Sequence, residues 1–251
     1  MSGHVPDLTV EQGLVGAGQI IAAVDEVGRG ALAGPVTVGV SFVAPHECSD
    51  QPVGLGDSKD VSPALRQALV PLIQDWVVSW GVGSASPSEI DRLGIVAALR
   101  LAGQRAYREA SERLSERASE AKAPVVVLLD GVHDWLSTPE PDLFSALASR
   151  ALDSDGSEVR LDAEAADAAP AEASVDLPRV ITRPKADRDC ASVAAASIMA
   201  KTHRDSVMVE LSQTHPAYGW ESNKGYGSAQ HRAAIREHGA TEAHRRTWKL
   251  L

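Results

Sequence analysis

The residues best suited to chemistry stand in the run Ile20 to Gly30. There an apolar stretch ends in two adjacent carboxylates, Asp25 and Glu26, and a Gly28-Arg29-Gly30 turn follows at once. Gly34-Pro35 then opens a second apolar run, Val36 to Val43. The two runs read as strands of a hairpin joined by a long, glycine-bearing turn. Side chains alternate along a strand, so Asp25 and Glu26 cannot both enter the core. An acid pair at the mouth of a buried strand, beside an arginine and turn glycines that bare their amides, suits a metal ion together with a phosphate. Taken alone, the pair would more simply be a solvated strand end with Arg29 paired to Asp25, because charges prefer the surface.

Three further stretches weigh against that simple reading: Leu128-Leu129-Asp130-Gly131, Lys185-Ala186-Asp187 before a long Ala/Ser helix, and Lys224-Gly225-Tyr226-Gly227. In this order and spacing the four stretches resemble ribonuclease HII, the bacterial type 2 ribonuclease H. The resemblance runs from about Gln19 to Trp248 with one interruption. Asp57-Ser58-Lys59 and His244-Arg245-Arg246-Thr247-Trp248 match as well. So does Ile90 to Ile95, except that Gly94 stands where the family usually has Asn. The resemblance implies an α/β fold, a ribonuclease H-like mixed five-stranded sheet flanked by helices with a C-terminal helical extension. In that architecture the strands bearing Asp25 and Asp130 are parallel neighbours. It also implies an endoribonuclease that hydrolyses the RNA strand of RNA–DNA hybrids. Such an enzyme also cuts 5′ of ribonucleotides embedded in duplex DNA, leaving 3′-hydroxyl and 5′-phosphate ends. The related ribonuclease HIII carries an extra N-terminal domain, for which the leader here is too short. A non-catalytic hybrid-binding module is the reading from another class, but it would have no use for clustered acids near phosphates.

Phosphodiester hydrolysis needs an activated water and neutralised charge, which two divalent ions about 3.5–4 Å apart can supply. Hard ions such as Mg²⁺ or Mn²⁺ prefer oxygen ligands. The set implied by the resemblance is Asp25, Glu26, Asp130 and Asp187, as catalytic residues and as ligands of two such ions. Alternatives stay open at each position. Asp130-Gly131 could be a strand-ending turn, and Asp187 a charge on a helix N-terminus. Asp189 rivals Asp187, and only the Lys-x-Asp match favours the latter. Asp57 and Asp134 are secondary acids near strand ends. Glu26 could bind through its side chain or its backbone carbonyl. Telling RNA from DNA means sensing a 2′-hydroxyl, and the matching residues are Gly28, Arg29, Gly30 and Tyr226. Tyr226 could instead anchor its loop. Lys59, Lys201 and Lys224, with Lys185 and Arg204, are candidate phosphate contacts, each alone an ordinary surface charge.

The rest of the chain must position these groups. Its 251 residues suffice for one large domain. No apolar run reaches the length of a membrane span, and residues 1–18 lack the pattern of a signal peptide. Cys48 and Cys190 stand far apart and read as reduced thiols in a cytoplasmic protein, expected to be a monomer. The net charge of −10 runs against a nucleic-acid partner until its distribution is examined. Ser137 to Pro178 holds ten Asp/Glu and two Arg, whereas Arg179 to Leu251 holds twelve Lys/Arg against seven Asp/Glu. The first tract (137–178) reads as an acidic, mostly disordered insertion, a departure from the family pattern. The second reads as a phosphate-facing surface.

Residues 1–18 read as a flexible leader before a catalytic domain over 19–251. Strands are expected over Gln19–Val24, Pro35–Ala44, Trp76–Ser84, Pro124–Leu129 and Val180–Thr182. The fourth has the unbroken apolar character of a buried parallel strand. Ser62-Pro63 caps a helix to about Gln74, and Ser86-Pro87-Ser88-Glu89 is a capping box. A long amphipathic helix is expected over Ile95–Ala121, another over Cys190–Leu211, and a last one from Ser228 to Glu237, stopped by Gly239.

Overall fold

The computed structural model describes residues 4–117, 122–137 and 175–251. Five strands follow one another along the chain: β1 (Ile21–Val27), β2 (Val36–Val43), β3 (Ser79–Ala85), β4 (Val126–Asp130) and β5 (Arg179–Arg183). They form the expected mixed sheet in the order β3-β2-β1-β4-β5. β1 runs antiparallel to β2 and parallel to β4, and β5 lies parallel to β4. The helices are α1 (Thr9–Leu14), α2 (Pro63–Trp76), α3 (Pro87–Leu93), α4 (Ile95–Arg117), α5 (Ala186–Asp189), α6 (Ala191–Thr214), α7 (Trp220–Asn223) and α8 (Ala229–His238).

The alternation of β1 divides the core between two faces. Ala22 and Val24, with Val38 and Val40 of β2, pack on the face that carries α4. Ile21 and Ala23, with Val43, pack on the opposite face, which carries α6. Glycine lets both helices come close. A Cβ at Gly81 or Gly83 would run into the carbonyls of Ala106 and Ala102 in α4, and one at Gly39 would run into the carbonyl of Ala196 in α6. The helix starts follow the sequence signals. The Ser62 hydroxyl accepts from the Leu65 amide, Ser86 and Glu89 form the reciprocal capping box, and the Ser228 hydroxyl accepts from the His231 amide.

β1 differs from expectation in a way that matters. It runs to Val27, so the two acids lie inside the strand and not beyond its end. Its ladder with β4 stops at Val24 opposite Leu129, while its ladder with β2 continues through Asp25, Glu26 and Val27. The acids therefore sit where a two-sided strand becomes one-sided, and the vacated edge is open to a ligand. β3 starts later than expected because α2 continues to Trp76.

The expected leader is corrected over its described part. Glu11 of α1 is fully buried, and its Oε1 accepts from the Ser192 amide at 2.9 Å and the Ser192 hydroxyl at 2.6 Å. Asp7 forms a β-bridge with Cys190. Through Oε1 this carboxylate accepts from both donors of Ser192 in the first turn of α6, which ties the N-terminal segment to the body of the protein. The acidic insertion is corrected at its C-terminal boundary, since Val175 and Leu177 already pack on the α4-side core. Residues 138–174 of that tract, and the expected helix end over 118–121, lie outside the described residues. A third apolar cluster, including Leu32, Met208, Tyr218, Trp220 and Ile235, lies beneath the C-terminal helices. Among the described residues no helix is long and apolar enough to cross a membrane.

Candidate active site

Parallel pairing of β1 with β4 brings Asp25 and Asp130 to the same sheet edge, each one residue beyond the last shared rung. Asp130 Oδ1 accepts from the Ala186 amide at 2.7 Å and the Asp187 amide at 3.4 Å. That carboxylate therefore fixes the start of α5 and carries Asp187 to the edge with it. Asp187 is buried, with Lys59 Nζ 3.4 Å from its Oδ2. Glu26 projects from the other face of β1, and its Oε1 lies 3.6 Å from Arg29 Nη1. Arg29 thus pairs with Glu26 and not with Asp25.

Burial pushes the Asp25 carboxyl well above the usual carboxylate range. The Ser197 hydroxyl opposes this, and repulsion from Glu26, Asp130 and Asp187 adds to it. Burial also raises Asp130, with Asp187 reinforcing the shift and the two backbone amides and Lys59 counteracting it. Burial raises Glu26 too, against the pull of Arg29. Four carboxylates gathered where they repel one another, with no histidine or thiolate among them, are a donor set for hard divalent cations. Among the described residues no three such side chains already enclose a single ion position. Cations of this class keep several non-protein oxygen ligands, so an open half-shell fits them. Asp25, Glu26, Asp130 and Asp187 are the residues that would hold such ions.

A cleft of about 430 Å³ adjoins this edge and brings together Asp25, Glu26, Gly28, Arg29, Gly30, Lys59, Lys201 and Tyr226. Tyr226 stands at its rim, 38% exposed. Lys201 reaches the cleft with its ammonium 2.7 Å from Asp205. Lys224 is not brought there: its ammonium turns to the Glu221 carbonyl, and it lines a neighbouring cavity. Lys185 is exposed at the start of α5, in a left-handed conformation with φ 62°. Asp189 turns away to Arg188, His4 and Arg183, at 3.1, 3.3 and 3.6 Å. Asp57 accepts from the Lys59 amide and Asp134 from the Leu136 amide, so each closes a local turn.

Arg204 requires a correction. It is no phosphate contact, because it is fully buried. Its Nε donates to the Pro35 carbonyl at 2.8 Å, Nη1 to Lys224 at 3.0 Å and Nη2 to Ala33 at 3.2 Å. Arg245 is likewise buried within what reads in sequence as a basic tail. It donates to the carbonyls of Gly28 at 2.6 Å and Arg29 at 2.8 Å, and to Gly34 at 3.2 Å. Arg245 thus clamps the Gly28-Arg29-Gly30 turn from behind, while Arg204 ties the Ala33–Pro35 segment to Lys224. Gly28 has φ 85°, and a Cβ there would enter the Arg204 side chain. Arg66 plays a similar part for the Ser58-Lys59 loop, donating to the Ser58 and Val61 carbonyls at 2.7 Å each and pairing with Asp205. Ser197, unremarkable in an Ala/Ser helix, lies with its Oγ 2.9 Å from Ser58 Oγ and flanks Asp25. The available signal was charge at Arg204 and Arg66 within otherwise apolar helical faces.

A family model described as ribonuclease HII matches residues 22–126 and 147–251. The chain is 39% identical over 249 residues to a ribonuclease HII of Streptomyces coelicolor, covering 98% of this chain and 84% of that protein. It is 36% identical over 244 residues to one of Paracoccus denitrificans, covering 97% and 91%. Among solved structures, the ribonuclease HII of an Archaeoglobus fulgidus PCNA complex aligns with TM-score 0.56 at 23% identity, over 92% of this chain and 96% of that one. The Bst ribonuclease HIII solved with Mn²⁺ aligns with TM-score 0.60 at 19% identity, over 93% and 68%. The structural likenesses concern the fold, whereas the sequence relatives reach across nearly the whole chain and the family model across well over half of it. On these grounds the chain belongs to the ribonuclease HII family.

Proposed function

We propose that this chain is a divalent-metal-dependent endoribonuclease that hydrolyses the RNA strand of RNA–DNA hybrids. It cuts 5′ of ribonucleotides embedded in duplex DNA, and leaves 3′-hydroxyl and 5′-phosphate ends. The observation that carries this reading is the meeting of Asp25, Asp130 and Asp187 at one sheet edge beside an amide-bearing turn. When bound, two Mg²⁺ or Mn²⁺ ions supply an activated water and neutralise the phosphate. Asp25, Glu26, Asp130 and Asp187 hold them, and Asp130 also fixes the helix that presents Asp187. Lys59 and Lys201 contact phosphates from the cleft wall. Lys224 contributes the shape of its loop more than its ammonium. The Gly28-Arg29-Gly30 turn offers backbone groups to the 2′-hydroxyl, and Tyr226 stacks on the neighbouring sugar and so helps read the ribose–deoxyribose junction. A non-catalytic binder is disfavoured by the same acids, which outnumber the two cations paired with them, Arg29 and Lys59, and so repel a phosphate backbone. The protein acts as a cytoplasmic monomer.

The test is a labelled DNA duplex bearing one ribonucleotide, incubated with Mg²⁺, with Mn²⁺ and with EDTA. The expected result is a single 5′ cut with either ion, none with EDTA, and none in an all-DNA duplex. Asp130→Asn is the informative variant. Its amide oxygen can still accept from Ala186 and Asp187, so the fold persists while the anionic ligand is lost. Cleavage by this variant at the unaltered rate, or cleavage in EDTA, would overturn the metal assignment.

A further inference from the structure

Three buried rings lie beneath the Tyr226 loop: Trp220, His231 and His244. Their hydrogen bonds fix every ring proton. The Tyr226 carbonyl lies 2.9 Å from His231 Nδ1, and a carbonyl can only accept, so Nδ1 carries the hydrogen. The Trp220 indole can only donate, and it points at His231 Nε2 from 3.0 Å, so that nitrogen is the acceptor. His244 Nε2, 3.1 Å from the same nitrogen, can face it only as a second donor, the two N–H groups sharing its one lone pair. At the other side of its ring, His244 Nδ1 accepts from the Thr241 amide at 3.0 Å. Both imidazoles are therefore neutral, in opposite tautomers, and each tautomer is dictated by the next group along.

The end of this chain is the backbone of the residue at the cleft rim. Tyr226 is flanked by Gly225 at φ 83° and by Gly227, so its own backbone supplies little stiffness. The Tyr226 amide bonds to Asn223, and its carbonyl also receives the Ser228 amide at 2.8 Å. Both contacts lie within three residues; the near side of the loop is pinned by the Gly225 carbonyl, which accepts from the Leu32 and Ala33 amides at 2.8 and 3.2 Å. The His231 bond holds the Tyr226 carbonyl itself from the other side, because its ring is locked between Trp220 and His244.

We propose that His231 is a positioning residue for recognition of the ribose–deoxyribose junction: its Nδ1–H holds the Tyr226 carbonyl, and so sets the height of the Tyr226 ring over the cleft. His244 keeps His231 in the tautomer that can do this. The inference rests on the junction-reading role given to Tyr226 above.

Two isosteres separate the bond from the ring. In His231→Asn the side-chain amide nitrogen occupies the place of Nδ1 and can still donate to Tyr226. In His231→Gln it occupies the place of Nε2 and cannot. Steady-state kinetics on a duplex with one ribonucleotide and on a long hybrid, with Tm measured for each variant, give the comparison. His231→Gln is expected to lose about 10-fold in kcat/KM on the single ribonucleotide, mostly in KM, the scale of one weakened aromatic stack. It is expected to lose much less on the long hybrid, and His231→Asn to keep the wild-type ratio of the two. Losses equal on both substrates and tracking the fall in Tm in both variants would make His231 merely structural. Tyr226→Ala is the control. If it loses equally on both substrates, the reading of Tyr226 fails. If it is selective and His231→Gln is not, the positioning role alone fails. Should His231→Gln not fold, histidine ¹⁵N shifts of the unaltered protein decide: a proton on Nδ1 of His231 is expected, and one on Nε2 instead would overturn the proposal.

Discussion

Charge is buried in two regions of this molecule, to opposite effect. At the sheet edge, Asp25 sits among Glu26, Asp130 and Asp187, and burial plus their repulsion disfavours its charged form. Beneath the Gly28-Arg29-Gly30 turn, Arg204 and Arg245 are equally buried. There each fork is engaged by backbone carbonyls, with no carboxylate bonded to it. The difference teaches how to tell buried charge that is structure from buried charge that is function. A charge whose hydrogen-bonding capacity is used up by the fold is a fastener. A charge held against its own kind leaves an interaction for something that has yet to arrive.

Three measurements can break or sharpen this contrast. The largest effect belongs to the acids. Asp25→Asn should lose more than about 100-fold in activity, since disturbing even the groups behind a metal ligand costs roughly 10–100-fold. The same variant should raise the Tm of the metal-free protein. A carboxyl whose folded pKa lies above its ordinary 3.8 binds protons more readily folded than unfolded, so stability falls as pH rises through that interval. Asn removes the penalty, and thermal melts in EDTA at neutral pH check it. Lost activity without gained stability would mean that the acids are not in conflict.

Next comes the fastener. Arg245→Ala leaves the Gly28, Arg29 and Gly34 carbonyls without these donors and should destabilise by about 3 kcal/mol or more. Arg245→Lys should recover only part of that, because an ammonium lacks the planar fork. Urea unfolding measures both, and a near-neutral Arg245→Ala would dissolve the contrast.

The smallest effect concerns pH. Burial, then His231 and His215, and more weakly Arg246, push His244 down to about 4 from 6.5, against its bond to Thr241. Between those values the unfolded chain takes up a proton that the folded chain refuses, so stability falls as pH drops from 6.5 towards 4. The loss is at most about 3 kcal/mol at 1.36 kcal/mol per pH unit. His244→Gln, which keeps a donor for His231, should flatten the acid limb of a Tm-against-pH curve. An unchanged limb would place the acid sensitivity elsewhere.

Much of the frame was legible from local signals. Ser62-Pro63 and the Ser86 capping box name their helices because a cap acts within three residues. The apolar run before Asp130 announces a buried strand. What stayed hidden depends on distance along the chain. Glu11 reads as one more polar residue of a leader, and its partner Ser192 is 181 positions away. Arg204 and Arg245 count as positive charge in any composition. Only the fold shows that their guanidiniums face inward, so the phosphate-facing surface inferred from charge is smaller than the count implies. Asp187 and Asp189 are two residues apart on a single helical turn. Local pattern cannot rank them, whereas the Asp130 carboxylate, 57 residues earlier, selects the face on which Asp187 lies.

Gly39 is the register partner of Asp25 across the hairpin, and it is where α6 comes close through Ala196. The neighbouring Ser197 flanks the Asp25 carboxyl. A methyl group at Gly39 would have to prise the helix outward, widening the gap between Asp25 and everything α6 presents to it. The spacer that sets the dimension of this reaction centre is thus a hydrogen atom, on a residue with no group that could bind, titrate or be labelled. In an unbiased screen for inactive mutants, Gly39 would score beside the acids themselves, while every chemical probe of the site passed it by.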